Sequence, residues 1–139
     1  MRPILFIMAM QSIVFCEKYD AQEIMDIGKR GDNYRVWLYF IDKKGSVPIV
    51  VDQRTIGRRA KNGVETNGLW YDLTVSKNYI EQISSLGIMV KNESRWLNAI
   101  SVICKLSDIE RIAALPFIEQ IKPVVGYQKR SNIEYPDIS

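Results

Sequence analysis

Cys16 and Cys104 are the chain's two thiols, and it contains no histidine to activate them or any serine. That absence removes Ser-His-Asp and Cys-His mechanisms, zinc sites that depend on imidazole, and the usual near-neutral general base. Two cysteines cannot complete a zinc site alone, and these two lie in segments of different character. Cys104 falls in a run that reads as strand, where a buried structural thiol is the expected role. No metal, no cofactor and no enzymatic activity of the chain's own are therefore expected. The densest charge, Arg54, Arg58, Arg59 and Lys61, sits on a helix candidate. Its plain reading is a solvated face with cations near the helix C-terminal dipole, and a phosphate or RNA patch is the secondary one. A formal charge of +3 is too mild to imply nucleic acid.

Since nothing reactive is concentrated anywhere, function has to be approached through architecture. A chain of 139 residues, 47% of them hydrophobic, is enough for one domain with a modest core. Residues 1–16 have a short basic start and an apolar run over residues 4–15 broken only by Gln11 and Ser12. The run is too short for a comfortable membrane span and suits a secretory signal peptide, so export is expected, with membrane contact only during it. A buried N-terminal strand is the alternative. Residues 17–32 are polar with scattered glycine and read as a lead-in.

The domain is expected over residues 33–125. Residues 34–41, YRVWLYFI, are the first strong strand, and both of its faces are apolar. Val36, Leu38 and Phe40 lie on one face, and Trp37, Tyr39 and Ile41 on the other. A strand covered on one side only should alternate apolar with polar, so the second face is either sandwiched or awaiting a partner. A basic helix is expected over residues 53–62 with Gly63 past its end, then a loop over residues 64–75 containing Trp70 and Tyr71. Ser76 should cap a second helical piece whose apolar face is Tyr79, Ile80, Ile83 and Leu86, ended by Gly87. Residues 88–91 read as a short strand, Asn92-Glu93 as a turn, and residues 95–104 as a strand. Ser107 and Glu110 have capping-box spacing for a helix carrying Ile109, Ile112 and Ala113, stopped at Leu115 by Pro116. Residues 117–125 form a last strand with Pro123 near its end, as on a sheet edge. The order is strand, helix in two pieces, strand, strand, helix, strand. That predicts an α+β, ferredoxin-like βαββαβ open-faced sandwich, with a four-stranded antiparallel sheet and helices on one face.

Several segments also succeed one another in a familiar order. They are Trp37-Leu38-Tyr39-Phe40-Ile41-Asp42-Lys43, Arg58-Arg59-Ala60-Lys61, the stretch DLTVSKNYI at residues 72–80, Ser94-Arg95-Trp96-Leu97-Asn98-Ala99, Leu115-Pro116-Phe117-Ile118 and Ile121-Lys122-Pro123-Val124. Over residues 33–125 the chain resembles the N-terminal propeptide of secreted bacterial subtilisin-like serine proteases. The resemblance implies an intramolecular chaperone and temporary inhibitor whose partner is a subtilisin-like protease domain, in cis or in trans. It implies that the open sheet face, with Trp37, Tyr39 and Ile41, packs on the protease. It also implies that the tail Val124, Val125, Gly126 and Tyr127 lies in the cleft like a product. A processing junction then falls within residues 126–130, and residues 126–139 lead toward a protease domain. The chain ends at Ser139, where the family's catalytic domain would begin, so a truncated precursor, an excised domain and a free-standing inhibitor are all expected possibilities. A ferredoxin-like ligand- or RNA-binding module is the alternative. RNA-recognition modules need an aromatic-rich third strand with a glycine motif, and SRWLNAISVIC has one aromatic and no glycine.

Overall fold

A computed structural model describes residues 18–66 and 68–126. The expected signal peptide, Cys16, Tyr127 and the rest of the linker to Ser139 lie outside the described residues. The elements run α1 Ala21–Ile27, β1 Lys29–Arg30, β2 Asn33–Phe40, α2 Gln53–Lys61, a 3-10 turn Trp70–Asp72, α3 Lys77–Ser85, β3 Met89–Ser94, β4 Ala99–Cys104, α4 Leu106–Ala113 and β5 Ile118–Pro123.

The fold is α+β with an antiparallel five-stranded sheet. Its four longer strands lie in the order β5-β2-β4-β3, with the two-residue β1 beside the start of β2. Crossing from β2 to β3 through α3, and from β4 to β5 through α4, this is the order a ferredoxin-like split unit requires. Alternation on β2 decides which side is packed. Val36, Leu38 and Phe40 are buried and share one core with Ile100 and Val102 of β4, Ile118 and Ile121 of β5, Tyr79 and Ile83 of α3, and Ile109 and Ile112 of α4. Tyr79 stacks on Phe117 at 4.3 Å between ring centroids, with Phe40 packed against both.

Four local expectations are corrected. Residues 95–98 form the β3–β4 turn instead of the start of a strand, while β3 runs through Asn92 and Glu93 to Ser94. Asn98 takes a positive φ of 49°, and its buried side-chain amide donates to Phe40 O at 3.0 Å and Asp42 O at 2.7 Å. Those long-range bonds outweigh the β propensity of Arg95-Trp96-Leu97. Helix α4 starts at Leu106, and Asp108, not Glu110, turns back to accept from the Lys105 amide at 3.1 Å. Ser76 stands at the N-cap of α3, yet its hydroxyl donates to Lys44 O at 2.7 Å instead of capping the helix. The helix in two pieces divides unequally, since α3 packs on the sheet while α2 buries no residue.

The segment read as a polar lead-in also has structure. Asp20 caps α1 by accepting from Glu23 N at 3.0 Å, and Ile24 is fully buried in the common core.

Candidate surface for a protease partner

Direct pairing across antiparallel strands puts opposed residues on the same side of the sheet, so the register defines the uncovered face. Trp37 is paired with Ser101 of β4 and Lys122 of β5, and Tyr39 with Ala99 and Gln120. Arg35 is opposite Ile103, which is in turn opposite Met89, and Asn92 is opposite Ser101. Trp37 and Tyr39 are half-buried, whereas Ala99 and Ser101 are fully buried although they lie on the uncovered side. The larger side chains of β2 and β3 therefore close over the small residues of β4 at the centre of this face. Ile41, expected beside Trp37 and Tyr39, falls one residue beyond β2, where it is 54% exposed and donates its amide to Phe117 O. A register shift between Tyr39 and Phe40 separates it from the regular ladder.

The charge on this face has one sign. The residues that the register places there include Arg35 and Lys122 and no carboxylate. Arg35 is partly spent within the fold. With the Asn92 amide oriented so that its oxygen faces the guanidinium, Arg35 donates to it at 2.9 Å and the Ser101 hydroxyl donates at 3.3 Å, while the Asn92 nitrogen reaches Lys91 O. A surface that is aromatic in the middle and basic around it fits a partner that is apolar with neutral or acidic surroundings.

The tail leaves from the β1 end of β2. Val36 is opposite Pro123, and beyond it Val124 donates its amide to Arg35 O at 2.9 Å. Arg30 donates to Val124 O at 3.3 Å. Val125 is then 69% exposed, and Gly126 is exposed beside the Arg30 guanidinium. Among the described residues Val124, the first of the expected tail, is the last one tied to the sheet, and Val125 and Gly126 extend beyond it. The structure brings the tail's start and the aromatic face together through β2 and β5. Sequence reasoning missed the contribution of Lys18, whose carbonyl accepts from Ile121 N at 2.8 Å on β5, and of Arg30. The signals were the D-x-x-E spacing of Asp20 and Glu23 and the two-residue turn Gly31-Asp32 between short strands.

A polar bracket holds the opposite end of the sheet. The Lys43 ammonium, on a residue only 6% exposed, donates to Trp70 O, Leu73 O and Arg95 O, each at 2.8 Å. Arg59 forks onto Asp72 at 2.7 and 2.8 Å, and this hydrogen-bonded charge holds the Asp72 carboxyl below its ordinary value. The Lys44 amide and then the Tyr79 hydroxyl lower Asp42 in the same sense. These groups are engaged with one another and with backbone, which is the arrangement of a structural joint. Burial, and secondarily Asp108, push the Cys104 thiol up to about 12, so it stays a thiol at neutral pH. Among the described residues there is no cluster of three or more metal-ligating side chains, and no helix is long and apolar enough to cross a membrane.

A family model described as the peptidase S8 propeptide domain of Bacteroidota matches residues 35–135. No curated protein and no solved structure matches the chain. The match runs from Arg35 within β2 through β5 and extends past Val124. The chain therefore belongs to the peptidase S8 propeptide domain family, as its resemblance to subtilase propeptides led one to expect.

Proposed function

We propose that this domain is the folding chaperone and temporary inhibitor of a subtilisin-like serine protease, exported with it and without peptidase activity of its own. Membership of the propeptide family over residues 35–135 is the observation that carries the reading. A partner protease domain follows from that membership. The geometry adds two features suited to the role. One is a sheet face that no described helix covers, with Trp37 and Tyr39 on it; the other is an edge strand whose extension is exposed at Val125 and Gly126. An extended tail can add main-chain hydrogen bonds to an enzyme's edge strand, and a folded domain behind it lowers the ordering cost. Export is supported by the apolar run at residues 4–15.

The alternative of an RNA-binding module loses ground on the uncovered face. The third core strand, β4, offers Ala99, Ser101 and Ile103 there, and none can stack a base.

The test is inhibition. The purified chain, added to a mature bacterial subtilisin hydrolysing a chromogenic peptide, should inhibit competitively. A chain ending at Val124 should keep its thermal midpoint and lose most of the inhibition. If the full chain leaves several subtilisins untouched, or if the shortened chain inhibits equally well, the proposed role of the tail is wrong.

A further inference from the structure

Residues 18–32 precede the stretch matched by the propeptide family, yet they are fastened to the strand from which the tail emerges. Lys18 O accepts from Ile121 N at 2.8 Å, and its ammonium donates to Leu115 O at 3.0 Å. Helix α1 then buries Ile24 in the core. Gly28 passes so close that a Cβ there would come within 2.7 Å of Ile24 O and 3.3 Å of both Arg35 O and Pro123 Cβ. Its carbonyl accepts from Arg35 N at 2.8 Å. The chain is thereby delivered to Arg30, whose Nη1 donates to Lys29 O at 2.7 Å and Ile27 O at 3.1 Å. Two bonds to its own turn fix the guanidinium, and its other nitrogen meets Val124 O. Val124 is held from both sides, by Arg35 O at its amide and by Arg30 at its carbonyl. A Cβ at residue 126 would run into the Arg30 guanidinium, which would have to swing aside, so glycine there leaves the guanidinium where it meets Val124.

We infer that residues 18–30 form a clamp on the exit of the inhibitory tail, with Arg30 as the positioning residue that sets the direction in which residues 124–126 leave the sheet. The inference rests on the proposed inhibitory role for its consequence, although the clamp itself is a property of the free chain. A tail already aimed loses less freedom on entering a cleft than one that swings about Pro123. The neighbouring main-chain contact at Val124 N should also open less often while Arg30 holds the carbonyl.

The experiment compares the full chain with Arg30→Ala, Arg30→Lys, Gly126→Ala and the double variant Arg30→Ala/Gly126→Ala. Three quantities are measured: amide hydrogen exchange at Val124, thermal midpoint, and inhibition of a mature bacterial subtilisin. Arg30 is exposed, so its removal should leave the midpoint unchanged while Val124 exchanges about fivefold faster, as expected for one solvent-facing bond from a charged donor. Inhibition should weaken by a similar factor. Arg30→Lys keeps a cationic donor and should recover part of both. Gly126→Ala should push the guanidinium aside and reproduce the Arg30→Ala behaviour, and the double variant should be no worse than either single one. Unchanged Val124 exchange in Arg30→Ala, or effects that add in the double variant, would overturn the clamp. If even the parent chain fails to inhibit, the inhibitory reading falls, and the exchange and coupling data still decide the clamp.

Discussion

Replacing Lys43 with methionine should destabilise the domain severely, although it exchanges a charged side chain for an apolar one of similar length in a buried place. Two effects oppose each other. Burial of the ammonium is unfavourable, and together with the neighbouring Arg95 charge it lowers the Lys43 pKa, with Asp72 acting the other way. Against this stand three carbonyls that each receive a bond at 2.8 Å. Trp70 O has a second donor in Leu73 N at 3.2 Å, so the main loss falls on Leu73 O and Arg95 O. Leaving two such carbonyls unmade costs roughly 1–3 kcal/mol each, and relief of ammonium burial returns part of that, so about 3 kcal/mol is expected. For a domain of this size that corresponds to a fall of about 12 °C in thermal midpoint. Melting followed by circular dichroism gives the total. Tryptophan fluorescence should report the same site locally, because the ammonium lies 4.9 Å from the centre of the Trp70 ring. A midpoint within about 4 °C of the parent would show that the Lys43 bonds barely exceed their desolvation cost, and the bracket would then not be what holds this end of the sheet.

Acid should unfold the domain through named carboxylates. Asp42, Asp52 and Asp72 have folded pKa values below the ordinary one, held there chiefly by the Lys44 amide, the Thr55 amide and Arg59 respectively. Their contribution is fully present above the unfolded value and is lost as pH falls through the folded one. The midpoint should therefore drop below about pH 4, and less steeply in Asp72→Asn; identical pH profiles for the two proteins would refute this. Cys104, with its thiol raised to about 12 by burial, should resist alkylation at pH 8 in the folded chain and react once the chain is unfolded. Peptide mapping that finds equal Cys104 labelling in both states would contradict the burial.

The order of core elements was legible because the changes of hydrophobic period fall within a few residues of real boundaries. Val36, Leu38 and Phe40 at spacing two, Tyr79 and Ile83 at spacing four, and the stop at Pro116 are local signals, and all three survive in the fold. The misread places are those where a distant partner decides. Asn98 bends the chain into a turn because its amide is needed 58 residues away at Phe40 O. Lys43 reads as one of several turn lysines, and its three acceptors come from segments that no local pattern links to it. Helix α2 has the right composition for a crossover helix, but its only strong tie is the fork from Arg59 to Asp72, and its apolar residues never reach the core. Along the uncovered face, Trp37 and Tyr39 were evident from alternation. Their position beside the fully buried Ala99 and Ser101 depends on strand register, which the sequence leaves open.

The two ends of β2 are secured by different physics, and that difference bears on how one small domain could both fold and inhibit. At the Asp42 end, hydrogen bonds from buried or half-buried side chains join the β2 exit, the 3-10 turn and the β3–β4 turn, so opening any one of them strands several partners. At the Asn33 end, beyond the paired strand, the tail is held by the Val124 amide bond and by the exposed Arg30 contact, each of which can exchange with water at little cost. The hydrophobic core lies between the two and, among the described residues, includes none beyond Pro123. A change at Val125 or Gly126 should therefore leave folding almost untouched, whereas a change at the bracket should alter folding without reaching the cleft. If the proposed inhibition runs through the tail, it should separate from stability, because among the described residues the core and its polar bracket lie before Val125.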